Sequence, residues 1–65
     1  MKIRYFEDTD TLLIELKSGS VSETRDLDEN TLLDLYAQGH VVAITLERTT
    51  EGAELNSFSF DRIAA

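Results

Sequence analysis

The segment Asp26-x-Asp28-x-Asn30 sets three oxygen-bearing side chains at alternate positions, the spacing with which a calcium-binding loop opens. Calcium takes about six to eight oxygen ligands, and carboxylates supply both donors and charge. The loop then departs from what the ion needs. Its sixth place holds Thr31 where the sharp turn calls for glycine, and its twelfth holds Ala37 where a bidentate glutamate belongs. Asp26, Asp28 and Asn30 are therefore an incomplete metal set. The expectation is a solvated turn whose Asx side chains bond their own backbone, with no metal and no cofactor. A second acidic stretch contains Glu7, Asp8 and Asp10. If both stretches turn at one end of a sheet, they form an acidic rim together with Glu29. Mutual repulsion there would raise carboxylate pKa values and attract cations. Keeping the chain soluble is the simpler role for such a rim.

His40 is the lone imidazole and follows Gly39. A general base needs a positioned partner and a pocket, and an exposed hairpin loop offers neither. Ser18, Ser20, Ser22, Ser57 and Ser59 lack the strand-turn-helix elbow of a nucleophile, and no glycine-rich phosphate loop exists. No catalytic residue is assigned, and the chain reads as non-enzymatic. Arg25, within Glu23-Thr24-Arg25-Asp26, lies on a segment with little to bury, so packing does not dictate its identity. It can pair with Glu23 or Asp10, or anchor a partner's carboxylate.

The elements that would carry these groups are mostly strands. Ile3 and Tyr5 alternate with Lys2 and Arg4. After the polar Glu7–Asp10 stretch, Leu12, Ile14 and Leu16 alternate with Thr11, Leu13 and Glu15, so the two runs read as a hairpin. Gly19, within Lys17–Ser20, marks a second break. Residues 21–26 form a weaker strand suited to an edge, where charge discourages aggregation. Thr31–Tyr36 and Val41–Glu47 form a second hairpin around Gly39, a natural left-handed position. Val42, Ile44 and Leu46 make the latter the best-supported strand. Beyond Arg48 the alternation fades. Thr49 suits a helix N-cap and Gly52 keeps any helix short. Phe58 and Phe60 alternate as in a strand, yet Ser59 could equally cap a last turn. Either way, three large apolar residues near the end predict a tail that docks.

The fold expectation is mainly β, with a short α element. It is an antiparallel meander of four to five strands with a short, partly helical C-terminal segment packed on one face. The strongly apolar face would hold Ile3, Tyr5, Leu12, Ile14, Leu33 and Ile44 with their in-phase neighbours. Leu13, Leu32, Tyr36 and Val41 fall out of phase. They would form a second, mixed face that the tail leaves open, the kind of patch that marks an interaction surface.

Composition narrows the classes further. The chain has 65 residues, 13 acidic and 6 basic side chains and a net charge of −7. That length makes residues 1–65 a single small domain. With no cysteine there is no disulfide, thiolate nucleophile or cysteine-bound zinc. The acidic balance argues against nucleic acid, whose phosphates call for clustered Lys and Arg. No apolar run approaches the roughly 20 residues of a membrane span, and Arg4 interrupts any signal-peptide core. The expected setting is cytoplasmic, with no membrane partner. A domain of about 60 residues buries only about 60% of its unfolded surface, so a partner subunit is a reasonable supplement.

Met1–Tyr5, Asp10–Leu16, Ser22–Arg25 and Gly39–Ile44 follow an order that resembles the small bacterial and archaeal family called domain of unknown function 2283. Phe58–Ile63 is similar to the ending of a subset of members. Phe6 departs from the pattern, because members often carry Asp after the Tyr. The resemblance implies a compact cytoplasmic β domain without accepted catalytic residues. Some members appear beside genes for small toxin-like proteins, which implies a partner-neutralising role in those cases. Three functions follow as expectations. The first is a self-associating interaction domain, a homodimer, using Leu13, Leu32, Tyr36, Val41 and Arg25. The second is an antitoxin-like partner that covers a small basic protein. The third is a metal-dependent enzyme built on the acidic rim.

Overall fold

The alternating segments form one five-stranded antiparallel sheet in the computed structural model, which describes residues 1–64. The strands are β1 (Lys2–Phe6), β2 (Thr11–Glu15), β3 (Glu23–Asp28), β4 (Thr31–Leu35) and β5 (Val41–Leu46). A single helical turn, α1 (Thr49–Gly52), and a 3-10 turn at Leu55–Ser57 follow. The chain is mainly β, as its alternation predicts.

The strand order is β1-β2-β5-β4-β3, so one connection departs from a simple meander. β2 pairs with β5 instead of β3. A meander would set β3, poor in apolar residues, between two apolar strands. The observed order gives the centre to β5, rich in β-branched side chains, and the edge to the charged β3. The Leu16–Ser22 link spans the end of the sheet to make this possible. Leu16 N–H donates to the Val42 carbonyl and Ser22 N–H to the Leu35 carbonyl, both at 2.8 Å. Tyr36 closes over the link, its hydroxyl 2.7 Å from the Ser18 carbonyl. The ring lies where a Cβ on residue 19 would stand, which is why glycine occupies that position.

Register assigns the faces. One face carries the row Ile3–Ile14–Ile44–Leu33–Arg25 and the row Tyr5–Leu12–Leu46–Thr31. The other carries Arg4–Leu13–Thr45–Leu32–Asp26 and Lys2–Glu15–Ala43–Asp34–Thr24. The first is the apolar face that the alternation predicts. The second holds Leu13 and Leu32 among charges and threonines.

The tail does not dock as expected. Phe58, Phe60 and Ile63 are 67%, 72% and 87% exposed, and residues 58–64 form neither strand nor helix. Without a cover, the apolar face is buried only in part. Leu35, Val42 and Ala43 are the buried apolar residues among those described, while Ile14, Leu33 and Ile44 remain half-buried. The molecule measures 36 × 34 × 18 Å, the shape of one sheet with little packed on it. Its radius of gyration is 13.0 Å, against about 11 Å expected for a compact domain of this length. Its accessible surface is 5323 Å², against roughly 4,200 Å² for a folded monomer of its mass.

Candidate interaction surface

Antiparallel pairing in this order brings the β1–β2 and β3–β4 turns to the same end of the sheet. The segment after β5 ties them together: Glu47 N–H donates to the Asn30 carbonyl at 2.7 Å and Thr49 N–H to the Asp10 carbonyl at 2.9 Å. The expected acidic end is therefore present. Its electrostatics differ from the expectation of raised carboxylate pKa values. Asp10 is held below its ordinary value by the Tyr5 hydroxyl and by Thr50. Asp28 is held down by the Asn30 N–H and the Thr31 hydroxyl. Hydrogen bonds to the charged form outweigh desolvation at both positions.

Asp10 is the centre of this end. It adopts a left-handed backbone (φ 52°), which Asp tolerates better than most residues. Its Oδ1 accepts from the Tyr5 hydroxyl at 2.6 Å, and its Oδ2 accepts from the Thr50 hydroxyl at 2.7 Å. Both oxygens lie 3.2 Å from the Thr50 backbone N, so Asp10 caps α1 from the neighbouring β1–β2 turn. Tyr5, as donor to a carboxylate, has its own pKa raised by Asp10. Thr49, 3% exposed, places its hydroxyl 2.9 Å from the Leu46 carbonyl and 3.1 Å from the Asp10 carbonyl. The sequence predicts Asp10 in a solvated rim and Thr49 at the cap. The structure makes Asp10 the cap and Thr49 the first residue of the helix, after a left-handed Arg48. The available signal was the Thr49-Thr50 pair just after the last strand, but its partner lies some forty residues away along the chain.

Asp26, Asp28 and Asn30 do not converge. A bulge at Leu27 pairs Asp26 with Leu32 but Asp28 with Thr31, which turns the two aspartates to opposite faces. Asp28 Oδ1 accepts from the Asn30 N–H at 2.9 Å, the Asx turn that the sequence predicts. Among the described residues no group of three or more His, Cys, Asp or Glu side chains could hold a metal ion. Arg25 pairs with Glu23, Nε to Oε2 at 2.7 Å, and not with Asp10. Each shifts the other toward its charged form. His40 is exposed in the loop closed by Gly39 (φ 86°), where its carbonyl accepts from the Tyr36 N–H at 2.9 Å.

Leu13 and Leu32 lie on the mixed face, separated by Thr45 and flanked by Arg4 and Asp26. Tyr36 is committed to the Leu16–Ser22 link, with Lys17 Nζ 5.7 Å from its ring centroid. Val41 stands at a bulge, where it and Val42 together oppose Leu35. The larger apolar opening is on the other face. Ile3, Tyr5, Leu12 and Ile14 floor a groove of about 770 Å³, walled by the chain from Ala53 to Phe58. Ile3 and Tyr5 are 44% and 37% exposed in it. Sequence reading expected the tail to fill this space.

The strand pattern that builds both surfaces is a family pattern. Residues 2–48 match the family model described as Protein of unknown function (DUF2283). The chain belongs to that family. The DUF2283 match covers all five strands and stops at Arg48, so Thr49, Thr50 and the groove wall lie outside it. No curated protein and no solved structure matches the chain. Among the described residues no helix is long and apolar enough to cross a membrane.

Proposed function

We propose that this protein is a non-enzymatic, cytoplasmic interaction domain that pairs with a second copy of itself. The carrying observation is its surface. It exposes roughly 1,100 Å² more than a folded monomer of its mass should. A standard protein interface takes about 800 Å² from each partner. The excess therefore matches one protomer's share of a dimer. Two-fold pairing is the commonest closed arrangement for such a chain. The apolar Ile3–Ile14–Ile44 face has the stronger claim to be covered, because the Leu13–Leu32 face already has charges at both margins.

An antitoxin-like role, covering a small basic protein, draws support from the net charge of −7 and the acidic end. Sedimentation velocity across salt separates the readings. A self-paired chain dimerises alone and tightens with salt, because two copies bring like charge together. A chain that stays monomeric at about 1 mM protein and high salt would overturn the self-pairing reading. A complex with a basic partner would loosen with salt instead.

A further inference from the structure

We infer that residues 59–63 are an exchanged arm, seating Phe60 of one copy in the Ile3–Leu12 groove of a second copy. This rests on the self-pairing reading and names the surface that performs it. The chain carries both halves of an apolar contact, and in the single copy Phe58 borders the groove while Phe60 and Ile63 stay outside it. The groove, about 770 Å³ in volume, is floored by apolar side chains that remain partly exposed. The tail presents three large apolar groups, each at least two-thirds exposed.

Geometry favours the second copy over the chain's own groove. Phe58 is the last residue of the groove wall and is extended, with φ −76° and ψ 132°. To enter its own groove the tail would have to reverse direction beyond that point. Ser59 and Asp61 are turn-forming types, but the backbone over residues 58–64 makes no turn or bend. Continued in an extended form, Ser59–Ile63 reaches about 17 Å past the rim, far enough to lie on a neighbouring molecule. Alternation then keeps Phe60 on the side of Phe58 and turns Ile63 to the other. Glu7 and Glu54 line the groove, and the arm adds no net charge to them, since Asp61 and Arg62 cancel. Reciprocal exchange covers the arm and groove of both copies in one step, which suits a surface excess of one interface share per chain.

Sedimentation velocity on the full chain tests this, with circular dichroism to follow folding. Phe60→Asp alters a side chain that already faces solvent, so the sheet should survive. The variant should weaken dimerisation by at least about 100-fold, since both arms are lost at once. Ile3→Glu should do the same from the groove side. Mixing Ile3→Glu with Phe60→Asp should recover a heterodimer, because one intact arm meets one intact groove. Should Ile3→Glu unfold, a spin label on Ser59→Cys reads the contact directly. Mixed with isotope-labelled wild type, it should broaden the amide signals of Ile3 and Leu12. A wild-type dimer indifferent to the tail variant, or broadening confined to the Leu13–Leu32 face, would overturn the arm and leave self-pairing standing. A wild-type monomer would overturn both.

Discussion

Thr49→Val replaces a buried hydroxyl by a methyl group of nearly the same shape. Both side chains are β-branched and have similar helix propensity, so the change isolates the hydroxyl's role. The hydroxyl has one proton and two carbonyls within reach, those of Leu46 at 2.9 Å and Asp10 at 3.1 Å. The Asp10 carbonyl keeps the Thr49 N–H in the variant. The Leu46 carbonyl loses its side-chain donor at a site only 3% exposed. Losing a net hydrogen bond costs about 0.5–1.5 kcal/mol, and leaving a buried acceptor short of a donor raises that to about 1–3 kcal/mol. Each kcal/mol moves the Tm of a domain this size by about 4–8 °C. A drop of about 5–15 °C is expected, measured by circular dichroism at fixed protein concentration because pairing would otherwise shift the midpoint. Thr50→Val is the matched control. Its hydroxyl also serves Asp10 but is exposed, so water can replace it and the drop should be smaller. A Thr49→Val protein that melts within about 2 °C of wild type, or above Thr50→Val, would refute the claim that this corner fastens the two turns.

Acid sensitivity follows from the same corner. Asp10 has a folded pKa below its unfolded value, so its contribution is complete above the unfolded value and is lost as pH falls toward the folded one. Asp10→Asn should flatten the urea midpoint between about pH 5 and pH 2, partly and not wholly because Asp28 and Glu23 are lowered too. Identical acid limbs would remove Asp10 from the account. Tyr5 runs the other way: its pKa is raised, so its contribution holds below the unfolded value near 10 and is lost as pH rises through the folded one. Tyr5→Phe should abolish that alkaline loss in the same titration. Gly19→Ala should force Tyr36 off the link and its hydroxyl off the Ser18 carbonyl, costing about 1–3 kcal/mol by urea denaturation. An unchanged midpoint would mean that the link moves aside freely. Millimolar calcium should leave the amide signals of Asp26–Asn30 in place, since a bulge turns Asp26 and Asp28 apart. Saturable shifts there would restore a metal site.

Strand identity was legible because the alternation in residues 2–46 reports burial directly, and each hairpin carries its own turn residues. Strand order was not. The choice between β3 and β5 as the neighbour of β2 depends on which strand gains most from a central place. That comparison spans the whole sheet and is written in no single segment. Gly19 was legible as a break, but its reason, the Tyr36 ring above it, is a contact across seventeen residues. The Asx turn at Asp28 was legible because its partner is two residues away. The bulge that separates Asp26 from Asp28 was hidden, because alternation assumes an unbroken register. The tail was misread for a related reason. Three apolar residues imply burial, but sequence does not say whether the covering surface belongs to the same molecule.

The acidic load and the open apolar face become compatible once their positions are compared. Register leaves the rows Ile3–Ile14–Ile44–Leu33 and Tyr5–Leu12–Leu46 free of charge until the β3 edge, where Arg25 is already paired with Glu23. The excess carboxylates gather at one end, at the Glu7–Asp10 and Asp28–Glu29 turns. The molecule spans more than 30 Å in both of its long dimensions. At physiological salt, repulsion between exposed charges decays over about 8 Å. A partner lying on the apolar face with its acidic end reversed therefore meets little of that field, whereas one lying with acidic ends together meets most of it. On the self-pairing reading, charge in this chain does not oppose pairing so much as select its orientation.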